Sequence, residues 1–151
     1  MSLDELRKEI AFGLENLEKV YQNIVSFSES QVALEIKTSA LTFECFGYYN
    51  ALEHLMIRIL KHLGREIPSG AFSHRDTLKM FQVLVRSHGL GDDETITALE
   101  VLMAFRHVAT KIYGFLIDWD KLQAVVAEIQ KLHPSFVKLF DAVVASLQQE
   151  K

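Results

Sequence analysis

Apolar residues recur every three or four positions almost from the start of the chain: Leu3, Leu6, Ile10, Leu14, Leu17, Val20 or Tyr21, and Ile24. A turn of α-helix takes 3.6 residues, so this spacing collects them on one face and predicts an amphipathic helix from about Ser2 to Phe27. Ser28, Glu29 and Ser30 then read as a stop followed by the N-cap of a second helix, about Ser30 to Leu63. That stretch has a different texture. Leu41, Phe43, Cys45, Phe46, Tyr48, Tyr49, Leu52, Leu55, Met56, Ile57, Ile59 and Leu60 leave little of its circumference polar, which predicts the most buried helix. A helix covered all round must find partners for Asn50, Glu53 and His54, because an unpaired buried polar group costs a few kcal/mol. Structural hydrogen bonding is the simplest role for them. The alternative is that Glu53 faces the bundle centre and orients a basic residue of the helix that carries Arg106.

Residues 64–73 (GREIPSGAFS) form a stretch dense in helix breakers and end the second helix. His74, Arg75 and Asp76 open a short third helix with Leu78, Phe81, Leu84 and Val85 inward, stopped by Gly89 and Gly91. Asp92 or Asp93 caps a fourth, whose Ile96, Leu99, Leu102, Met103 and Phe105 lead into residues 104–120 (AFRHVATKIYGFLIDWD), with Gly114 loosening its end. Asp118 caps a fifth, with Leu122, Val125, Val126, Ile129 and Leu132 inward. Pro134 must kink that helix or begin a new segment, after which Phe136, Leu139, Phe140, Val143 and Leu147 continue the pattern.

Composition sharpens this picture. With 151 residues, seven Gly, two Pro and 49% hydrophobic residues, the chain reads as one all-α domain spanning residues 1–151, an up-and-down bundle of about five helices. Its aromatic and aliphatic content exceeds what a monomeric bundle of this size needs, which points to a helix–helix homodimer. The lone Cys45 sits in an apolar run and reads as a small core residue; the six His show no metal-ligand spacing, and no cofactor is called for. Residues 1–10 lack the apolar core of a signal peptide, and no apolar run approaches the ~20 residues of a membrane span, so a cytoplasmic protein without a membrane partner is expected.

The net charge of −4 argues against a protein that coats nucleic acid non-specifically. The charge is unevenly spread, however: residues 1–57 carry −5, residues 58–88 carry +4 and residues 89–151 carry −3. The basic middle is an ordinary solvated surface unless a site lies beside it.

The reactive polar groups are concentrated in the fourth helix. Arg106, Thr110 and Tyr113 fall at i, i+4 and i+7 and make one polar stripe; His107 and Lys111 make a second. Spacing leaves two readings open, a phosphate-handling site or the wet side of a bundle helix, and by itself favours the wet side.

Three stretches together change that balance: FGYYNALEHLMIRILKHLG (46–64), IPSG followed by HRDTL (67–78), and FRHVATKIYGFLIDWDKL (105–122). In this order they resemble the HepT-like branch of the HEPN superfamily. The resemblance implies a homodimeric helical bundle acting as the toxin partner of a minimal nucleotidyltransferase antitoxin. It also implies a metal-independent ribonuclease in which the Arg and His of two subunits meet in a cleft. The family pattern is Arg, a polar residue, three further residues, His, any residue and Tyr. Arg106 takes the Arg position, His107 the polar position, and Tyr113 the Tyr that the nucleotidyltransferase modifies with AMP. Lys111 stands where the family has His.

That departure matters chemically. Such an enzyme takes a proton from the 2′-hydroxyl and returns one to the leaving oxygen, and imidazole, with a pKa of about 6.5, suits both tasks. Lysine starts near 10.4, so serving as the base requires a depression of about three units, roughly 4 kcal/mol. Lys111 can instead hold phosphate as a point charge. His107 lies one pitch earlier, about 5–6 Å away, which is too far to replace a group that works within about 3 Å of its proton. The residues therefore leave an active ribonuclease in which Arg106, His107 and Lys111 act together, with Asn50 and Glu53 in support, beside a homodimer that binds a nucleotidyltransferase, a nucleotide or RNA without cutting.

Overall fold

The computed structural model describes residues 2–111 and 117–149. Those residues form five helices and no strand: α1 (Leu3–Glu29), α2 (Leu34–His62), α3 (Ser73–Ser87), α4 (Asp93–Lys111) and α5 (Trp119–Gln149). The chain is an all-α bundle, as the periodicity predicts, and α2 is its axis, in contact with each of the other four helices.

The ends of the helices follow local chemistry. The Ser2 side chain accepts from the Glu5 N–H at 3.1 Å, giving α1 its cap, and α1 buries Leu3, Leu6, Ile10, Leu17 and Ile24. Ser30 does not cap α2 as expected. It turns extended, its N–H bonds the Phe27 carbonyl at 3.2 Å, and it closes α1 two residues beyond the expected end. Helix α2 begins at Leu34, with no side-chain cap at Ala33, and Lys37 Nζ reaches back to the Ser28 carbonyl across the turn at 3.3 Å. Its other end is a glycine stop. Gly64 has φ +74°, a conformation L side chains rarely adopt, while the Arg65 N–H bonds the Leu60 carbonyl at 3.0 Å.

Asp92 is the cap of α4: its carboxylate accepts from the Thr95 N–H at 2.7 Å. The same backbone bond holds the Asp92 carboxyl below its usual range. Asp118 caps α5, accepting the Asp120 N–H at 3.2 Å. Pro134 starts no new segment, since α5 runs through it unbroken. The reason is its position. Pro134 and Gln130, whose carbonyl loses its i+4 donor, are both exposed, so water can satisfy the freed oxygen.

The core draws on every helix. Phe81 of α3 stacks on Phe140 of α5 with centroids 5.3 Å apart, and Gln82 ties α3 to α4 through the Ile96 carbonyl at 3.0 Å and Glu100 at 3.1 Å. Each such large apolar side chain contributes about 1.5–3 kcal/mol when fully buried. Cys45 is 2% exposed and behaves as the core residue its setting predicts.

At the centre, His133 of α5 joins three helices. Its Nε2 lies 2.5 Å from Glu18 Oε2 of α1, its Nδ1 lies 2.8 Å from the Tyr48 hydroxyl of α2, and the Tyr21 ring stacks on it at 3.8 Å and 5°. A carboxylate only accepts, so Nε2 carries the proton and Nδ1 accepts from Tyr48. Burial pushes the Tyr48 phenol up, which keeps it a donor.

Helix α2 is not covered all round. Ile36 is 60% exposed and Phe43 71%, and His54 also faces out, so one side of the helix is left uncovered by the described residues.

Candidate functional site

The site is assembled on α2, where Asn50 and Glu53 sit three residues apart and therefore on neighbouring positions of one face. Asn50 reaches α4: its side-chain oxygen accepts from Arg106 Nε at 2.8 Å. The Arg106 guanidinium also lies over the Phe46 ring, 5.1 Å from its centroid. An amide and an aromatic face thus fix a half-buried cation, and the sequence put both partners on one turn of α2. Arg106 does not share the wet face with its neighbours. Its η nitrogens have no hydrogen bond to a described residue, so one edge of the guanidinium is available for bidentate binding of an oxyanion.

Glu53 does not orient a basic residue of the Arg106 helix. Its Oε1 lies 2.7 Å from Nδ1 of His74, the second residue of α3, and the Glu53 side chain is 8% exposed while the His74 side chain is 43% exposed. Glu53 is bonded to α3, and it is Asn50 that takes Arg106 of α4. Glu53 Oε2 and the Tyr49 hydroxyl are both buried without a hydrogen-bond partner among the described residues. Burial pushes the Tyr49 phenol up, the Glu53 charge adds to this, and the Arg106 charge opposes it. Tyr49 therefore lies within electrostatic reach of both halves of the site.

The remaining expected residues stand apart. His107 and Lys111 are exposed on α4, and Thr110 Oγ1 donates back to the His107 carbonyl at 2.8 Å rather than extending a polar stripe from Arg106. Tyr113 and Gly114 lie outside the described residues. The residue that pattern reading missed is His74, taken only as the opening of α3. The available signal was Glu53 itself, since a carboxylate on the most buried helix has to find a donor.

Beside His74, Arg75 stacks on the Phe72 ring at 4.4 Å from its centroid, and Phe72 is 61% exposed. Among the described residues no group of three or more His, Cys, Asp or Glu is placed to hold a metal, and no helix is long and apolar enough to cross a membrane. Residues 40–147 match the family model described as HepT-like protein. No curated protein and no solved structure matches the chain.

Proposed function

The chain belongs to the HepT-like family, and on that premise we propose that it is the toxin of a toxin–antitoxin pair, a homodimeric endoribonuclease that works without a metal. The observation that carries this reading is the fixed Arg106, held at Nε by Asn50, with no hydrogen bond from its η edge to a described residue. In the proposed reaction the 2′-hydroxyl of RNA attacks the adjacent phosphorus, and the guanidinium stabilises the negative charge that builds on the phosphoryl oxygens. Lys111 adds a second positive charge, with His107 beside it on α4. Tyr113 is the proposed acceptor of AMP from a minimal nucleotidyltransferase antitoxin, which would place a negatively charged block on the same cleft.

The homodimer part of the reading is supported by the uncovered side of α2. Ile36, Ala40, Phe43 and Gly47 follow at helical spacing and run directly to Asn50. A second copy packed there would bring its own Arg106 toward this one. Phe43→Glu is expected to turn a dimer into a monomer in light scattering.

Cleavage of total RNA and tRNA by the purified protein in EDTA tests the activity. Wild-type cleavage, reduced about 10²–10³-fold in Arg106→Ala, is the expected result for loss of one charge-stabilising donor. Wild-type protein that binds RNA and leaves it intact would instead establish a second reading, a non-cutting HEPN homodimer that engages a nucleotidyltransferase, a nucleotide or RNA. Lys111 at the family His position is the observation that favours it.

A further inference from the structure

The ribonuclease reading needs an imidazole that position 111 does not provide. His74 has the properties of one. The Glu53 carboxylate accepts only, so Nδ1 of His74 carries the proton, and Nε2, without a hydrogen bond to a described residue, is the acceptor on a ring 43% exposed. A buried carboxylate behind an imidazole fixes both tautomer and aim, the arrangement that makes a histidine an efficient proton acceptor. His74 and Arg106 are tied to positions 53 and 50 of the same helix face, where Cβ atoms lie about 5–6 Å apart. Their anchors are therefore neighbours on α2.

The surroundings point to the same ligand. Phe72 is 61% exposed, and the Arg75 guanidinium, 4.4 Å from its ring centroid, also pairs through Nε with Asp76 at 3.5 Å; an exposed aromatic ring and a guanidinium are the groups on which unpaired bases and their phosphates are held. Both residues lie in the segment 58–88, which carries +4 in a chain of net −4. The basic middle of the sequence therefore borders the site.

We propose that His74, aimed by Glu53, is the general base of this protein's RNA cleavage, and that Phe72 and Arg75 hold the strand beside it. The proposal rests on the ribonuclease reading above. Neutral His74 takes the 2′-hydroxyl proton on Nε2 as the 2′-oxygen forms its bond to phosphorus. The bond from phosphorus to the 5′-oxygen breaks, that oxygen takes a proton from water, and the hydroxide left behind takes the proton from His74, which returns the ring to its neutral form. The products are a 2′,3′-cyclic phosphate and a 5′-hydroxyl. His74 is then a catalytic residue and Glu53 a positioning residue.

The test uses single-stranded RNA in EDTA with wild type, His74→Asn, His74→Gly and Glu53→Gln. Asn keeps a donor near Nδ1 for Glu53, so the fold is preserved while the titrating ring is gone. Cleavage is expected to fall about 10²–10⁴-fold in His74→Asn with RNA affinity unchanged. Added imidazole should restore cleavage to His74→Gly and not to Arg106→Ala, a readout that a merely structural histidine would not give. Glu53→Gln should lower kcat at constant KM, and Phe72→Ala should raise KM. His74→Asn cleaving at the wild-type rate would overturn the assignment of His74 and leave the ribonuclease reading standing. A wild type that cuts no RNA would overturn that reading and this one with it.

Discussion

Two histidine–glutamate pairs among the described residues are built to opposite ends. His133 is 5% exposed, with one nitrogen on Glu18, the other on Tyr48 and a tyrosine ring across its face. His74 commits one nitrogen to Glu53, makes no hydrogen bond through the other to a described residue, and has a side chain 43% exposed. The burial of the partners is reversed too: the Glu18 side chain is 51% exposed behind its buried ring, whereas the Glu53 side chain is 8% exposed behind its accessible one. An imidazole with every face occupied joins helices. One backed by a buried carboxylate with a free nitrogen can trade a proton with a ligand.

Replacing each ring by asparagine gives the sharpest contrast. His133→Asn loses the Glu18 bond and the Tyr21 stack and leaves a void among α1, α2 and α5, so denaturant unfolding should show a loss of about 3 kcal/mol. His74→Asn keeps its buried partner satisfied and should cost about 1 kcal/mol or less. Equal losses would erase the distinction between the two pairs. A smaller effect tests the closed pair alone. Tyr48→Phe keeps the packing but leaves His133 Nδ1 without its donor, and should cost about 1–2 kcal/mol with no change in RNA binding.

The smallest effect is one of pH. The Glu18 carboxyl is held below its ordinary 4.5 by the hydrogen bond from Gln22, against an opposing effect of burial, and by the hydrogen bond from His133. A depressed carboxyl stabilises the fold above its unfolded pKa, and that contribution fades as pH falls through the lower folded value. Melting temperature should therefore decline as pH drops below about 4.5, and Glu18→Gln should flatten that decline. An unchanged slope in Glu18→Gln would remove the ionic part of the closed pair.

Much of this was legible in the chain. The faces of α1 and α5 follow from spacing alone, Asp92 and Asp118 cap where a short acceptor precedes an apolar run, and Arg106, Asn50 and Glu53 could all be named as polar residues in apolar company. Their pairing was not legible, because periodicity places a residue on a face of its own helix and says nothing about which helix faces it. Asn50 and Arg106 are 56 residues apart, and Glu53 and His74 are 21 apart. The same blindness hid the open side of α2. Phe43 and Tyr48 look alike in a hydrophobic count, yet one is 71% exposed and the other 0%.

Cys45 supplies a consequence of a different kind. Burial, with a contribution from the Glu44 charge, pushes its thiol up to about 12, so at neutral pH almost none of it is the thiolate that reacts. A soluble thiol reagent can label the chain only during the intervals when α2 parts from its neighbours, and this is the single cysteine in the sequence. Its labelling rate therefore serves as a stopwatch for the opening of the native bundle, one reading per molecule, with no probe to install.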